Sequence, residues 1–184
     1  MKRLASLLLV CALLLPVCAL ASSFDMDMKT FQWFLSDHME TFINWTYGGS
    51  ANEIDLYYGI ADRKPLLMTM TDSEGQFCGV NVTDYLPKTF DSAATEQLSE
   101  LIGDIHTVVN TLNMRSNSSY DADRALDAIL SPTLEQVRRD GSLSRYRNSP
   151  GEYTHSDIGM NFYQTISFSD EDDMYVYSLS IFSK

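Results

Sequence analysis

Cysteine is scarce in this 184-residue chain: of three, Cys11 and Cys18 lie in an apolar N-terminal stretch, leaving Cys78 alone in the rest. This excludes an internal disulfide framework and a thiolate zinc site in the body of the chain, whose fold must rest on an apolar core. Cys78 is expected as a small buried residue on a strand, with an interchain disulfide as the lesser alternative. Positive charge is also short, 13 Lys and Arg against 25 Asp and Glu, for a formal net charge of −12. Such a surface repels phosphate backbones and anionic lipid, so nucleic acid is not an expected partner. Beyond the first twenty or so residues no apolar run approaches the roughly 20 residues that cross a bilayer, and no membrane-spanning segment is expected there. Histidine is limited to His38, His106 and His155. No His-Glu-x-x-His pair or Gly-x-Ser-x-Gly elbow occurs, so the chain carries no recognisable metal or nucleophile motif.

What is present begins with Lys2 and Arg3, an apolar run over 4–15, and Ala19-Leu20-Ala21. This order reads as a cleavable signal peptide over 1–21, cut after Ala21, with the remainder secreted or held on the outer side of the cell envelope. A lipid-anchored Cys18 would need a small residue before it, and Val17 does not fit. Removing 21 of 184 residues leaves 163, a single domain over 22–184 able to bury about two thirds of its unfolded surface. Losing Lys2 and Arg3 takes the net charge to −14, most simply a means of staying soluble.

The apolar residues Phe31, Phe34, Leu35, Met39, Phe42 and Ile43 recur at helical spacing and predict an amphipathic helix that stops near Tyr47-Gly48-Gly49-Ser50. Three β-prone segments at 54–60, 66–71 and 76–83 are separated by turn formers and read as an antiparallel meander. Cys78, Val80 and Val82 should share one face, with Asn81 on the other. A second helix, capped by Asp91 or Ser92, carries the stripe Leu98, Leu101, Ile102, Ile105, Val108, Val109 and Leu112. After a polar loop at Asn117-Ser118-Ser119, a third helix carries Ala122, Ala125, Leu126, Ile129 and Leu130, and Pro132 restarts a short piece with Leu134 and Val137. Residues 141–157 read as a long loop or weak hairpin, and 160–168 with 174–182 as a closing hairpin. The order α-β-β-β-α-α-β-β favours an α+β fold: a single antiparallel sheet of about five strands with helices packed on one face.

Few side chains suggest chemistry. His38 and His106 flank helical stripes, where a structural role is expected. His155-Ser156-Asp157 contains the residue types of a hydrolase triad, but adjacent residues cannot form the required line. Asp170-Glu171-Asp172-Asp173 lacks the spacing and glycine of a calcium loop and reads as a charged hairpin tip. No catalytic residue, metal ligand or cofactor is therefore assigned. Arg138, Arg139, Arg145 and Arg147 form the basic patch, a candidate site for a carboxylate, a phosphate or an anionic envelope polymer. Alternatively, Arg138 and Arg139 complement a helix C-terminus and the other two are solvated. Trp33 falls nearly opposite the apolar stripe of its helix, among Lys29, Asp37 and Glu40. It is a candidate partner anchor unless a loop or residues 24–28 cover it. Tyr175 and Tyr177 should edge the core beside Leu179 and Ile181 rather than form a carbohydrate platform. Asn44, Asn81 and Asn117 begin glycosylation sequons that matter only in a eukaryotic host, and Asn44 falls in the predicted helix.

The layout runs from a leucine-rich signal through Phe24-Asp25-Met26 into a helix, then a strand, the turn Asp72-Ser73-Glu74-Gly75 and the strand Cys78-Gly79-Val80-Asn81-Val82, before a helix pair and a final hairpin. This rhythm resembles a class of small exported bacterial α+β proteins. The resemblance spans most of the chain after the signal, implies a bacterial origin, and supplies no activity or site residue. Together these features point to a secreted, non-enzymatic binding or protein-interaction module of the bacterial envelope or extracellular space, its partner a protein or a small ligand. One alternative is an exported hydrolase, recognisable by a cleft where acids of perturbed pKa converge. Another is an acidic inhibitor or immunity protein, recognisable by an acidic surface around exposed apolar residues.

Overall fold

The computed structural model describes residues 23–89, 91–114, 122–130, 134, 136–157 and 159–184. The expected signal, the loop at Asn117 and the restart at Pro132 lie outside them. The described elements are α1 (Met28–His38), β1 (Asn44–Ala51), β2 (Ile54–Ile60), β3 (Leu66–Thr71), β4 (Phe77–Leu86), α2 (Ser92–Asn113), α3 (Ala122–Leu130), α4 (Gln136–Asp140), a 3₁₀ turn (Ser144–Tyr146), β5 (Gly151–Asp157), β6 (Met160–Ser169) and β7 (Met174–Ser183). The class is α+β with one antiparallel sheet, in the order β1-β2-β3-β4-β7-β6-β5.

Seven strands replace the expected five, and both additions are edge strands. The first appears because α1 ends at His38 instead of continuing to Ile43. Glu40 N donates to Asp37 O (3.1 Å), Thr41 N donates to Ser36 O (3.2 Å), and Glu40 sits at φ 50°. This closure normally uses glycine in the left-handed position; with glutamate there, composition does not announce the stop. The chain released from the helix pairs with β2, Asn44 opposite Ile60 and Trp45 opposite Gly59, so Asn44 lies on a strand and not in a helix. The second addition, β5, lies in the segment expected as a long loop or weak hairpin and pairs with β6. Its Glu152, Thr154 and Ser156 are exposed, so its pattern is too polar to read as a strand.

The β4–β7 pairing joins the two meanders, Val80 opposite Ile181 and Val82 opposite Leu179. These four residues form the main core with Phe31 and Leu35 of α1 and Leu98, Leu101, Ile105 and Val108 of α2. A smaller cluster of Ile54, Leu56, Met68, Met70, Cys78 and Phe182 receives nothing from the described helices. Cys78 was expected beside Val80 and Val82. Between β3 and β4 the register shifts, Phe77 facing Thr71 and Gly79 facing Met70, which makes Cys78 the extra residue of a bulge and turns it away from the valines. Asn81 also points away from them. It is buried, its Nδ2 donating at 2.8 Å to both Ser178 Oγ and Ser180 Oγ, and its Oδ1 accepting from Thr83 Oγ1 at 2.8 Å. The amide of this sequon is thus fully engaged inside the sheet.

Candidate functional site

Helix α1 is held at a fixed rotation. Asp27 caps it, accepting from Thr30 N at 2.9 Å and Thr30 Oγ1 at 2.5 Å, and these hydrogen bonds lower the pKa of its carboxyl. Phe31 and Leu35 are buried, Gln32 Nε2 donates to Thr69 Oγ1 at 2.9 Å, and His38 Nδ1 lies 3.1 Å from Thr111 Oγ1. Trp33 consequently faces away from the core at 64% exposure, its ring 4.9 Å from that of Phe34. Phe42, expected in the core stripe, follows the early helix stop and is 84% exposed.

Trp45 of β1 completes a groove with these two. Its ring lies over Gly59, where an added Cβ would stand only 2.6 Å from it. The groove has a volume of about 420 Å³ and is lined by Trp33, Asp37, Thr41, Phe42, Ile43 and Trp45, including both tryptophans of the chain. The buried indole N–H of Trp45 has no acceptor among the described residues. Tyr47 and Ile60 are also exposed, so four of the five large exposed apolar side chains described belong to α1, its exit and the first hairpin. No described strand pairs with the outer side of β1.

The four arginines do not line this groove. Arg138 and Arg139 are exposed in the last turn of α4, where cations complement helix carbonyls. The other two are not simply solvated. The Arg145 guanidinium lies 4.5 Å from the Tyr146 ring centroid and bonds to its hydroxyl, and that of Arg147 lies 5.0 Å from the Phe168 centroid.

A second concavity, about 290 Å³, is lined by Lys64, Asp84, Gln97, Glu100 and Asp104 among others. Asp84 accepts from Tyr85 N at 2.8 Å and Gln97 Nε2 at 3.3 Å, yet its burial raises its pKa above the usual carboxylate range. Asp104 pairs with Lys64 Nζ at 2.8 Å, and there burial raises the pKa more than the ammonium lowers it. The clue to this site in the sequence is Asp104, a charge inside the apolar stripe between Leu101 and Ile105. Its partner is 40 residues away and carries no local mark. Phe42 and Trp45 were missed because the helix stop was missed; the run Asn44-Trp45-Thr46-Tyr47 ahead of two glycines is their signal.

His155 is half-buried beside Phe162, with ring centroids 6.3 Å apart. Ser156 is exposed and donates to Asn161 Oδ1 at 2.9 Å. At the β6–β7 tip, Lys88 Nζ lies 2.6 Å from Asp173 Oδ2. Tyr175 and Tyr177 are buried in the core. Burial, aided by the Asp72 charge, pushes the Cys78 thiol up to about 11. Among the described residues no three side chains are placed to hold a metal ion, and no helix is long and apolar enough to cross a membrane.

Fold and site together define an α+β protein whose seven-stranded antiparallel sheet carries an aromatic groove beside one edge. In comparisons with protein-family models, curated proteins and solved structures the chain finds no match.

Proposed function

We propose that this chain is a non-enzymatic protein-interaction module, exported to the bacterial envelope or beyond, that grips its partner through the groove of Trp33, Phe42 and Trp45. The exposure of Trp33 at 64% and Phe42 at 84% beside a cavity of about 420 Å³ carries this reading. Fully burying such a side chain is worth about 1.5–3 kcal/mol, a gain that the fold leaves to a partner, and aromatics of this kind anchor interfaces. Export rests on the leader. The test is affinity capture from the envelope and culture fluid of the producing cells, with Trp33→Ala and Phe42→Ala as controls that should still fold because both side chains are exposed. A stoichiometric partner lost by both variants supports the reading; equal retention by both refutes the groove.

A second reading, an exported hydrolase, is favoured by the cleft of Asp84 and Asp104. Carboxyls with raised pKa values beside an ammonium are an arrangement that acid–base chemistry uses. Hydrolysis of a chromogenic ester or glycoside, abolished by Asp104→Asn in a folded variant, would support it. A panel of such substrates left untouched by the wild-type protein would count against it.

A further inference from the structure

Resting on the groove reading, we propose that the partner presents an extended, basic segment, which adds to the outer edge of β1 over residues 44–47 and sets its apolar side chains into the groove. Natural sheet edges are usually blunted by Lys, Pro, an inward charge or a bulge, and β1 meets its bulge only after Tyr47. Asn44-Trp45-Thr46-Tyr47 has none of these, whereas β5 at the opposite edge carries Glu152 and follows Pro150. The usable edge is short. The β1–β2 register shifts between Tyr47 and Gly49, and Gly48 accommodates the Tyr58 ring where a Cβ would overlap it. Such a bulge bends the strand and limits straight pairing to the residues before it, beside the groove.

Charge selects the chemistry of the segment. Between residues 27 and 60 stand Asp27, Asp37, Glu40, Glu53 and Asp55 against Lys29 alone, and Asp37 lines the groove itself. Lysine or arginine alternating with apolar residues complements that surface and steers encounter. A second copy of this chain would bring like carboxylates together across the edge, and a helical partner would leave the β1 backbone groups unpaired.

The experiment is selection of a displayed library of random decapeptides on the purified full chain, counter-selected on Trp33→Ala. The enriched sequences are expected to alternate apolar residues with Lys or Arg. A synthetic copy of the best binder should shift tryptophan emission, bind more weakly as salt rises, and lose about tenfold or more in affinity to Trp33→Ala. It should also slow exchange of those amides in 44–47 that exchange freely without it. Groove binders that lack basic residues, or that leave these amides unprotected, overturn the extended basic segment and leave the groove reading standing. No enrichment over Trp33→Ala overturns both. A dimer in sedimentation velocity that Trp33→Ala dissolves identifies a second copy as the occupant and likewise overturns the proposal.

Discussion

Replacing Gly59 with alanine puts a methyl group where the Trp45 indole already lies. A Cβ at this position would stand 2.6 and 2.7 Å from two ring carbons of Trp45 and 2.9 Å from Ile43 Cγ2, well inside the roughly 3.5–4.0 Å at which carbons attract. Two effects oppose each other. Alanine loses less backbone freedom than glycine on folding, a gain of about 0.5–1 kcal/mol in a strand. Inserting a methyl into packed surroundings costs about 1–3 kcal/mol. Ile43 is buried and the indole is a rigid plane rather than the end of a flexible chain, so overpacking should win. The expected net loss is about 1–2 kcal/mol in urea denaturation. Since the groove is the open side of the ring, Trp45 should be displaced toward it, shifting its emission when read in a Trp33→Phe background. In a Trp45→Leu background the same Gly59→Ala change should cost less than in the wild type, because the ring contacts are removed and only the 2.9 Å approach to Ile43 Cγ2 remains. Unchanged stability together with unchanged tryptophan emission in Gly59→Ala would mean that Trp45 does not cross β2, and the groove as described would be wrong.

Leu101→Ala, in the main core, should cost about 2–5 kcal/mol in the same assay; a loss below about 0.5 kcal/mol would place that helix face outside the core. Tyr177→Phe removes a buried hydroxyl with no partner among the described residues, so it should be neutral or stabilising by about 1 kcal/mol, and a clear loss would reveal a partner. For Asp84, burial raises the folded pKa above the ordinary 3.8. The folded state therefore keeps a proton that the unfolded chain has released, and the associated stability is full below about 3.8 and lost as pH rises through the raised value. Asp84→Asn should then melt higher than wild type near neutral pH, with the difference disappearing in acid; a pH-independent difference contradicts this. The Cys78 thiol, buried and with its pKa pushed up to about 11, should resist an aromatic disulfide reagent in the native protein and react on unfolding, and reductant should leave the melting curve unchanged. Rapid labelling of the folded protein would refute its burial.

Local pattern alone determined the elements that bury one face and expose another. The stripe from Leu98 to Leu112 read directly as α2, the alternation of β6 read as a strand, and the exposure of Trp33 followed from the apolar face of its own helix, while β2, β3 and β4 were marked by β-prone runs between turn formers. These features are legible because each residue's side of the helix or strand is set by its neighbours a few positions away. Tertiary structure decided the rest. β1 and β5 are edges, where one-sided burial is weak and the pattern fades; the helix stop uses Glu40 in a left-handed conformation that sequence leaves to glycine. The cleft depends on Lys64 meeting Asp104, and the buried polar row on Asn81 meeting Ser178 and Ser180 nearly a hundred residues away. The groove needed Trp33, Phe42 and Trp45 to arrive from a helix, its exit and a strand. Contacts of this kind are chosen by strand register and by where the core closes, and periodicity within a segment carries no information about which distant segment will lie beside it.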